Sequence, residues 1–215
     1  MAYYPIQGAK FYVSQTLAPS TAITDITNAA PPSVTSASHA LVDNDEALLL
    51  VGWEDFNASI FRVNQQSTSA FTLDGYDSSN TNWYPPGSDT GTVAKVTAWT
   101  EMGQVLGVQG GGGGVRNVTV TPFDRRTPLN IPVGFEAANL SFTLGYDPAL
   151  AAQVQLAVAG RTLAKRGIKF ALPGGGFAYC YGTVGFNPIP NFNPQGVLEA
   201  NIAISIDGLF TFYTA

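Results

Sequence analysis

Five consecutive glycines, Gly110 to Gly114, with Arg116 just beyond them, are the residues whose types and spacing first suggest chemistry. Glycine-rich loops let backbone N–H groups close round a phosphate, and an arginine can pair with it. The remaining parts of such a site are missing. A phosphate cradle needs a lysine and a Ser or Thr ahead of a helix, whereas Gly114 leads into VRNVTVTPF, a strand pattern. The run therefore reads as a flexible connection between two strands. His39, the only histidine, has no cysteine or glutamate at ligand spacing. The acidic stretch Asp43-Asn44-Asp45-Glu46 lacks the glycine and the terminal glutamate of a calcium loop and reads as a solvated turn. No G-x-S-x-G elbow is present, and nothing pairs any two of the fifteen carboxylates for hydrolysis. The sequence thus predicts no catalytic residue, no cofactor site and no metal ligand, and the chain is not read as an enzyme.

Whatever these residues do, a fold of unusual surface must position them. The chain has 215 residues, of which 45% are hydrophobic and only 12% charged. That is about half the charge expected of a soluble domain. A surface so poor in charge suits a subunit that is permanently covered by others, because obligate interfaces resemble a core cut in half. The net charge is −5, unevenly spread. Between residues 30 and 94 eight carboxylates face Arg62 alone, a net of −7, while residues 95–215 carry eight basic against six acidic groups, a net of +2. A pI of about 4.6 argues against tight duplex binding. Cys180, the single cysteine, excludes an internal disulfide and reads as a small buried strand residue. MAYYPIQGAK lacks the pattern of a signal peptide, and no apolar run reaches membrane-spanning length, so a cytoplasmic origin without a membrane anchor is expected.

Most segments read as strands: AKFYVSQT, TAITDI, ALLLVGW, SIFRVNQ, AFTLDGY, GTVAKVTAWTEMGQV, VRNVTVTPF, NLSFTLGY, RGIKFAL, FAYCYGTVGF and VLEANIAISIDGLFTFYT. In the last, Ile202, Ile204 and Ile206 alternate with Asn201, Ala203 and Ser205. One helix is expected after Asp147 as N-cap and Pro148 in the first turn, with Leu150, Val154 and Val158 as its apolar stripe and Gly160 as its stop. The fold class is mainly β: packed sheets or a β-barrel with one flanking α-helix, plus an inserted small β-module. The acidic segment 30–94, bounded by AAPPS and YPPGSDTG, forms that module within a β-domain of residues 1–29 and 95–215.

The order of segments from TAWTEMGQVLGVQG onward resembles the major tail, or tail tube, proteins of long-tailed bacteriophages. Thr121 and Asp124, Asp147 and Pro148, Pro173, Gly182 and Val184, and Gly208 stand where that family's pattern places them. The resemblance covers residues 8–29 and 95–215. The intervening VTSASHALVDNDEALLLVGWEDFNASIFRVNQQSTSAFTLDG is similar to a small β-module of ubiquitin-activating enzymes that is also found inserted in phage structural proteins. His39, Leu41, Asp45, Asn57, Phe71 and Leu73 fit its pattern, and His39 then braces a turn.

The resemblance implies a structural subunit of the virion tail. Its copies would form stacked, hexameric rings whose lumen conducts DNA at ejection. Its partners would be further copies, the terminator, tape measure and baseplate proteins, and DNA in non-specific transit. Gly110, Gly111, Gly112, Gly113, Gly114 and Arg116 become a candidate inter-ring loop. Two other readings stay open: a ring-forming tail terminator or baseplate-hub protein, and a carbohydrate-binding β-module using Trp53 and Trp83.

Overall fold

The computed structural model describes residues 7–187, 189–192 and 196–214, so the first six residues of the MAYYPIQGAK segment lie outside the described residues. The chain is mainly β with one α-helix, as its alternating strand patterns require. In chain order the strands before the glycine run are β1 (Lys10–Ser14), β2 (Thr21–Ile23), β3 (Asp25–Ile26), β4 (Ser33–Thr35), β5 (Glu46–Val51), β6 (Ser59–Gln65), β7 (Ala70–Leu73), β8 (Gly91–Lys95), β9 (Trp99–Glu101) and β10 (Val105–Gly111). Then follow β11 (Val115–Val120), β12 (Leu129–Phe135), β13 (Asn139–Gly145), α1 (Ala151–Thr162), β14 (Lys165–Ala171), β15 (Phe177–Phe186), β16 (Glu199–Ile206) and β17 (Thr211–Tyr213).

These strands form three sheets. The largest has eight strands in the order β10-β13-β16-β15-β14-β1-β9, with β17 paired to β15. Its end strands, β9 and β10, are joined by only Met102, Gly103 and Gln104, so the sheet curls almost into a barrel. The interior is apolar because alternate residues of each strand point inward: Phe142 and Leu144, Ile202 and Ile204, Ile168 and Phe170, Cys180 and Val184. Burial pushes the Cys180 thiol up to about 12, so at pH 8 it stays protonated and inert. Folded protein is expected to leave Ellman's reagent uncoloured at pH 8, and denatured protein to react with one thiol per chain. Rapid labelling of the folded chain would contradict this packing.

Helix α1 lies against this core, but not through the stripe read from the sequence. Ala152, Gln153, Leu156 and Ala159 face inward, while Val154 and Val158 are about half exposed. Asp147 caps the turn before the helix, its Oδ1 accepting from the Ala149 N–H at 3.0 Å, and Leu150 holds the N-cap position itself. Buried Gln153 ties the first turn to the end of β13, its Nε2 donating to the Gly145 carbonyl at 2.6 Å. The helix also runs past Gly160 to Thr162. Gly160 serves close approach, since a Cβ there would stand 2.6 Å from the Cβ of Phe186.

The second sheet has seven strands in the order β2-β8-β5-β6-β7-β4-β3, and so spans Thr21 to Lys95. Its own core holds Trp53, Phe56, Phe61, Phe71 and Leu73. The third sheet is the two-stranded hairpin β11-β12. The segment GTVAKVTAWTEMGQV, read as one strand, divides into β8, β9 and the start of β10, because it passes from the second sheet to the first.

Candidate assembly surface

The hairpin begins at the glycine run. Gly110 and Gly111 are still strand, paired with Leu140 and Asn139. Gly112 and Gly113 then take φ of 74° and 71°, a left-handed kink that side chains disfavour. Gly113 N–H donates to the Glu136 carbonyl at 3.1 Å, and Glu136 N–H to the Gly114 carbonyl at 2.8 Å, which locks the return strand. The run connects two strands, as its sequence suggests, yet it is a shaped corner rather than slack. A Cβ at Gly112 would collide with the Ala137 carbonyl oxygen. Gly112→Ala is therefore expected to unlock the hairpin, seen as faster amide exchange at Val115–Val120 while the barrel amides stay protected. Unchanged exchange would show that the corner tolerates a side chain.

Beyond the corner, β11 and β12 pair from Val115↔Phe135 to Val120↔Leu129, and every residue of both strands is exposed. Val118 opposes Ile131 and Val120 opposes Leu129, giving one apolar face. Thr119 opposes Asn130 on the other face, the threonine Oγ1 donating to the asparagine Oδ1 at 2.8 Å. Phe123 at the tip is fully exposed. A hairpin with an apolar face, two unpaired edges and no layer beneath it is not stable by itself. Arg116 lies at the root of β11, exposed and opposite Gly134. Thus the six residues read from the sequence stand together, at the hinge of the surface rather than on it. The apolar face beyond them was only half legible, because Pro132 and Gly134 disguise β12.

A second exposed surface is the outer face of β10, β13, β16 and β15. In register, Gly111, Asn139, Ser205 and Thr183 form one row, and Gln109, Ser141, Ala203 and Gly185 the next. A third row pairs Thr143 with Asn201, whose Oδ1 accepts from the threonine Oγ1 at 3.3 Å. Among the described residues no charged side chain stands within these rows. Lys165 and Glu199, in register with Thr183 and Gly145, border them.

The rest of that outer face is covered by the second sheet. Tyr179, Tyr181 and Tyr213 pack on Leu48, Ala58 and Ile60. Glu46 sits in this joint. Its Oε1 accepts from Lys169 Nζ at 2.5 Å and from Tyr179 Oη at 2.7 Å, and its Oε2 accepts from Trp99 Nε1. Burial, reinforced by the Glu46 charge, raises the Tyr179 phenol and keeps it a donor. The reading of Asp43 to Glu46 as a solvated turn holds for Asp43 and Asn44, which are exposed turn residues, and is corrected for Asp45 and Glu46, which are partly buried. Asp43 Oδ1 accepts from Gln65 N–H at 2.7 Å, and Asp45 pairs with Lys95 at 2.5 Å. Five bonds thus tie the three carboxylates to the backbone and to distant strands, and draw Asp45 and Glu46 out of solvent. His39 braces its turn: Leu41 N–H donates to Nδ1 at 3.0 Å, which leaves Nε2 to donate to the Ser67 carbonyl at 3.1 Å. Trp53 is buried, its Nε1 donating to the Pro85 carbonyl, and only Trp83 is open to a ligand.

Among the described residues no cluster of three or more His, Cys, Asp or Glu is placed to hold a metal ion. Compared with known proteins, the chain matches a family model described as "Phage tail tube protein, TTP" over residues 51–215, a stretch that begins within the second sheet. No curated protein matches it.

Proposed function

We propose, on the premise that this chain belongs to the phage tail tube protein family and so is a structural component of the tail, that it polymerises into the tube itself. Copies join into rings, six to a ring as the family resemblance implies, and the rings stack. The exposed apolar hairpin β11-β12 is the observation that carries this reading. Its apolar face and free strand edges suit burial against other copies. The uncharged rows on β10, β13, β16 and β15 line the lumen in this proposal. A wall of small neutral polar groups offers phosphates nothing to bind, so DNA passes without being held. The second sheet, an acidic module inserted in the barrel chain, stands away from that wall. At the ends of the tube the subunits meet the terminator, tape measure and baseplate proteins.

Negative-stain electron microscopy of the purified chain, fresh and concentrated at low salt, tests this. Hollow tubes with a regular ring repeat are the expected result. Isolated rings at every concentration would replace the tube reading by that of a terminator or hub. A chain that stays monomeric at every concentration would overturn it.

A further inference from the structure

Helix α1 leaves a groove of about 260 Å³ on the outside of the molecule. Its lining includes Tyr146, Pro148, Val154, Val158, Arg161 and Phe186. Val154 and Val158 are 48% and 53% exposed, although a valine on a helix normally turns toward a core. Among the described residues no carboxylate pairs with Arg161. The groove is an apolar slot with a free cation on its rim.

We infer that this groove receives the hairpin tip of the copy in the next ring, Phe123 entering between Val154 and Val158 while Asp124 meets Arg161. The inference rests on the tube reading and gives it a specific ring-to-ring contact. Its first support is position. The hairpin is rooted at the Asn139 end of β13, where Gly111 pairs with Asn139 and Gly113 with Glu136. The groove opens at the other end of the same strand, at Tyr146 and Pro148 just past Gly145, and runs back beside α1 to Arg161 and to Phe186, which is level with Phe142. Root and mouth are thus separated by the length of β13, roughly 20 Å at ~3.3 Å per residue. Copies set end to end along the strand place the hairpin root of one opposite the open mouth of the next, and a tip carried across that junction makes a head-to-tail contact that repeats without closing. The second support is complementarity. Phe123 is a fully exposed aromatic anchor and the slot is apolar; Asp124 beside it is the carboxylate that Arg161 lacks, and the docking turns Arg125 and Arg126, which follow it, away from that rim.

A cysteine pair placed next to the anchors tests the contact and leaves Phe123, Asp124, Val158 and Arg161 in place. In tubes of Arg125→Cys/Ala157→Cys, mild oxidation is expected to give a ladder of covalent oligomers well beyond the dimer on a non-reducing gel. Each single variant should stay monomeric there. Tubes without a ladder, or a ladder that stops at the dimer, would overturn this docking and leave the tube reading standing. Phe123→Ser should raise the concentration needed for assembly about tenfold, the equivalent of ~1.4 kcal/mol per contact, with unchanged circular dichroism. Assembly at an unchanged concentration would equally overturn the docking. If the unsubstituted chain forms neither rings nor tubes, the tube reading falls and this inference falls with it.

Discussion

Val118→Asp/Ile131→Asp is expected to abolish assembly while leaving the subunit folded. The two side chains face each other across β11 and β12 and are about half exposed, so in the isolated chain the change costs only their mutual contact and the repulsion of the new carboxylate pair, both confined to the hairpin. Surface changes of this kind usually alter folding stability by no more than about 0.5 kcal/mol. In the assembled state the same carboxylates would enter an apolar contact without partners. Even at the low end of what buried unpaired polar groups cost, about 3 kcal/mol for the pair, the critical concentration rises by more than about 100-fold. Sedimentation of assembled material, with thermal unfolding followed by circular dichroism, separates the two effects. Tubes that form at the original concentration would show that this face stays in solvent and would remove the main support for the proposed function. Loss of both tubes and the folding transition would instead mean that the hairpin belongs to the subunit's own stability.

The second large effect concerns the joint between the two main sheets. Glu46→Ala removes the acceptor shared by Lys169, Tyr179 and Trp99 and leaves the Lys169 ammonium largely buried without a carboxylate. Breaking such a pair from one side costs about 3 kcal/mol, which in a chain of this length lowers Tm by roughly 6–12 °C. Glu46→Ala/Lys169→Met should recover a good part of that loss, because the stranded charge rather than the missing attraction dominates. Lys169 also lies over the rings of Phe177, Trp99 and Tyr179, at 4.7, 5.7 and 5.8 Å from their centroids, so the methionine inherits an apolar setting. Calorimetry of the three proteins checks the order. A double variant less stable than Glu46→Ala would show that the cation–π contacts outweigh the ion pair.

The strands of this fold were largely legible because half-buried sheets leave an alternation in the chain, clearest from Ala200 to Ile206. Position β12 was not, since its alternation is broken by Pro132 and Gly134, residues an exposed hairpin tolerates and an inner strand does not. Helix α1 was found, but its inner face was misread. A step of four through Leu150, Val154 and Val158 marks an apolar stripe, while the barrel accepts the small side chains of Ala152 and Ala159, so close is its approach at Gly160. Glu46 could not be recognised at all. Its environment is made by Lys169, 123 residues away, and local composition carries no trace of a partner that distant. The glycine run was singled out at once, though as slack; its left-handed corner depends on Glu136 and Ala137 across the hairpin, which spacing along the chain does not reveal.

The hairpin leaves the barrel at one end of β13 only, and the groove beside α1 opens at the opposite end. A rod built from such pieces has an arrow. One tip bristles with apolar fingers, the other shows empty sockets, and no rotation exchanges them. Its two extremities then call for chemically unlike stoppers: a socket-bearing cap for the first and a finger-bearing seed for the second. In the proposed tube, growth and arrest would thereby fall to different molecules, and a rod could not be laid down backwards on its base.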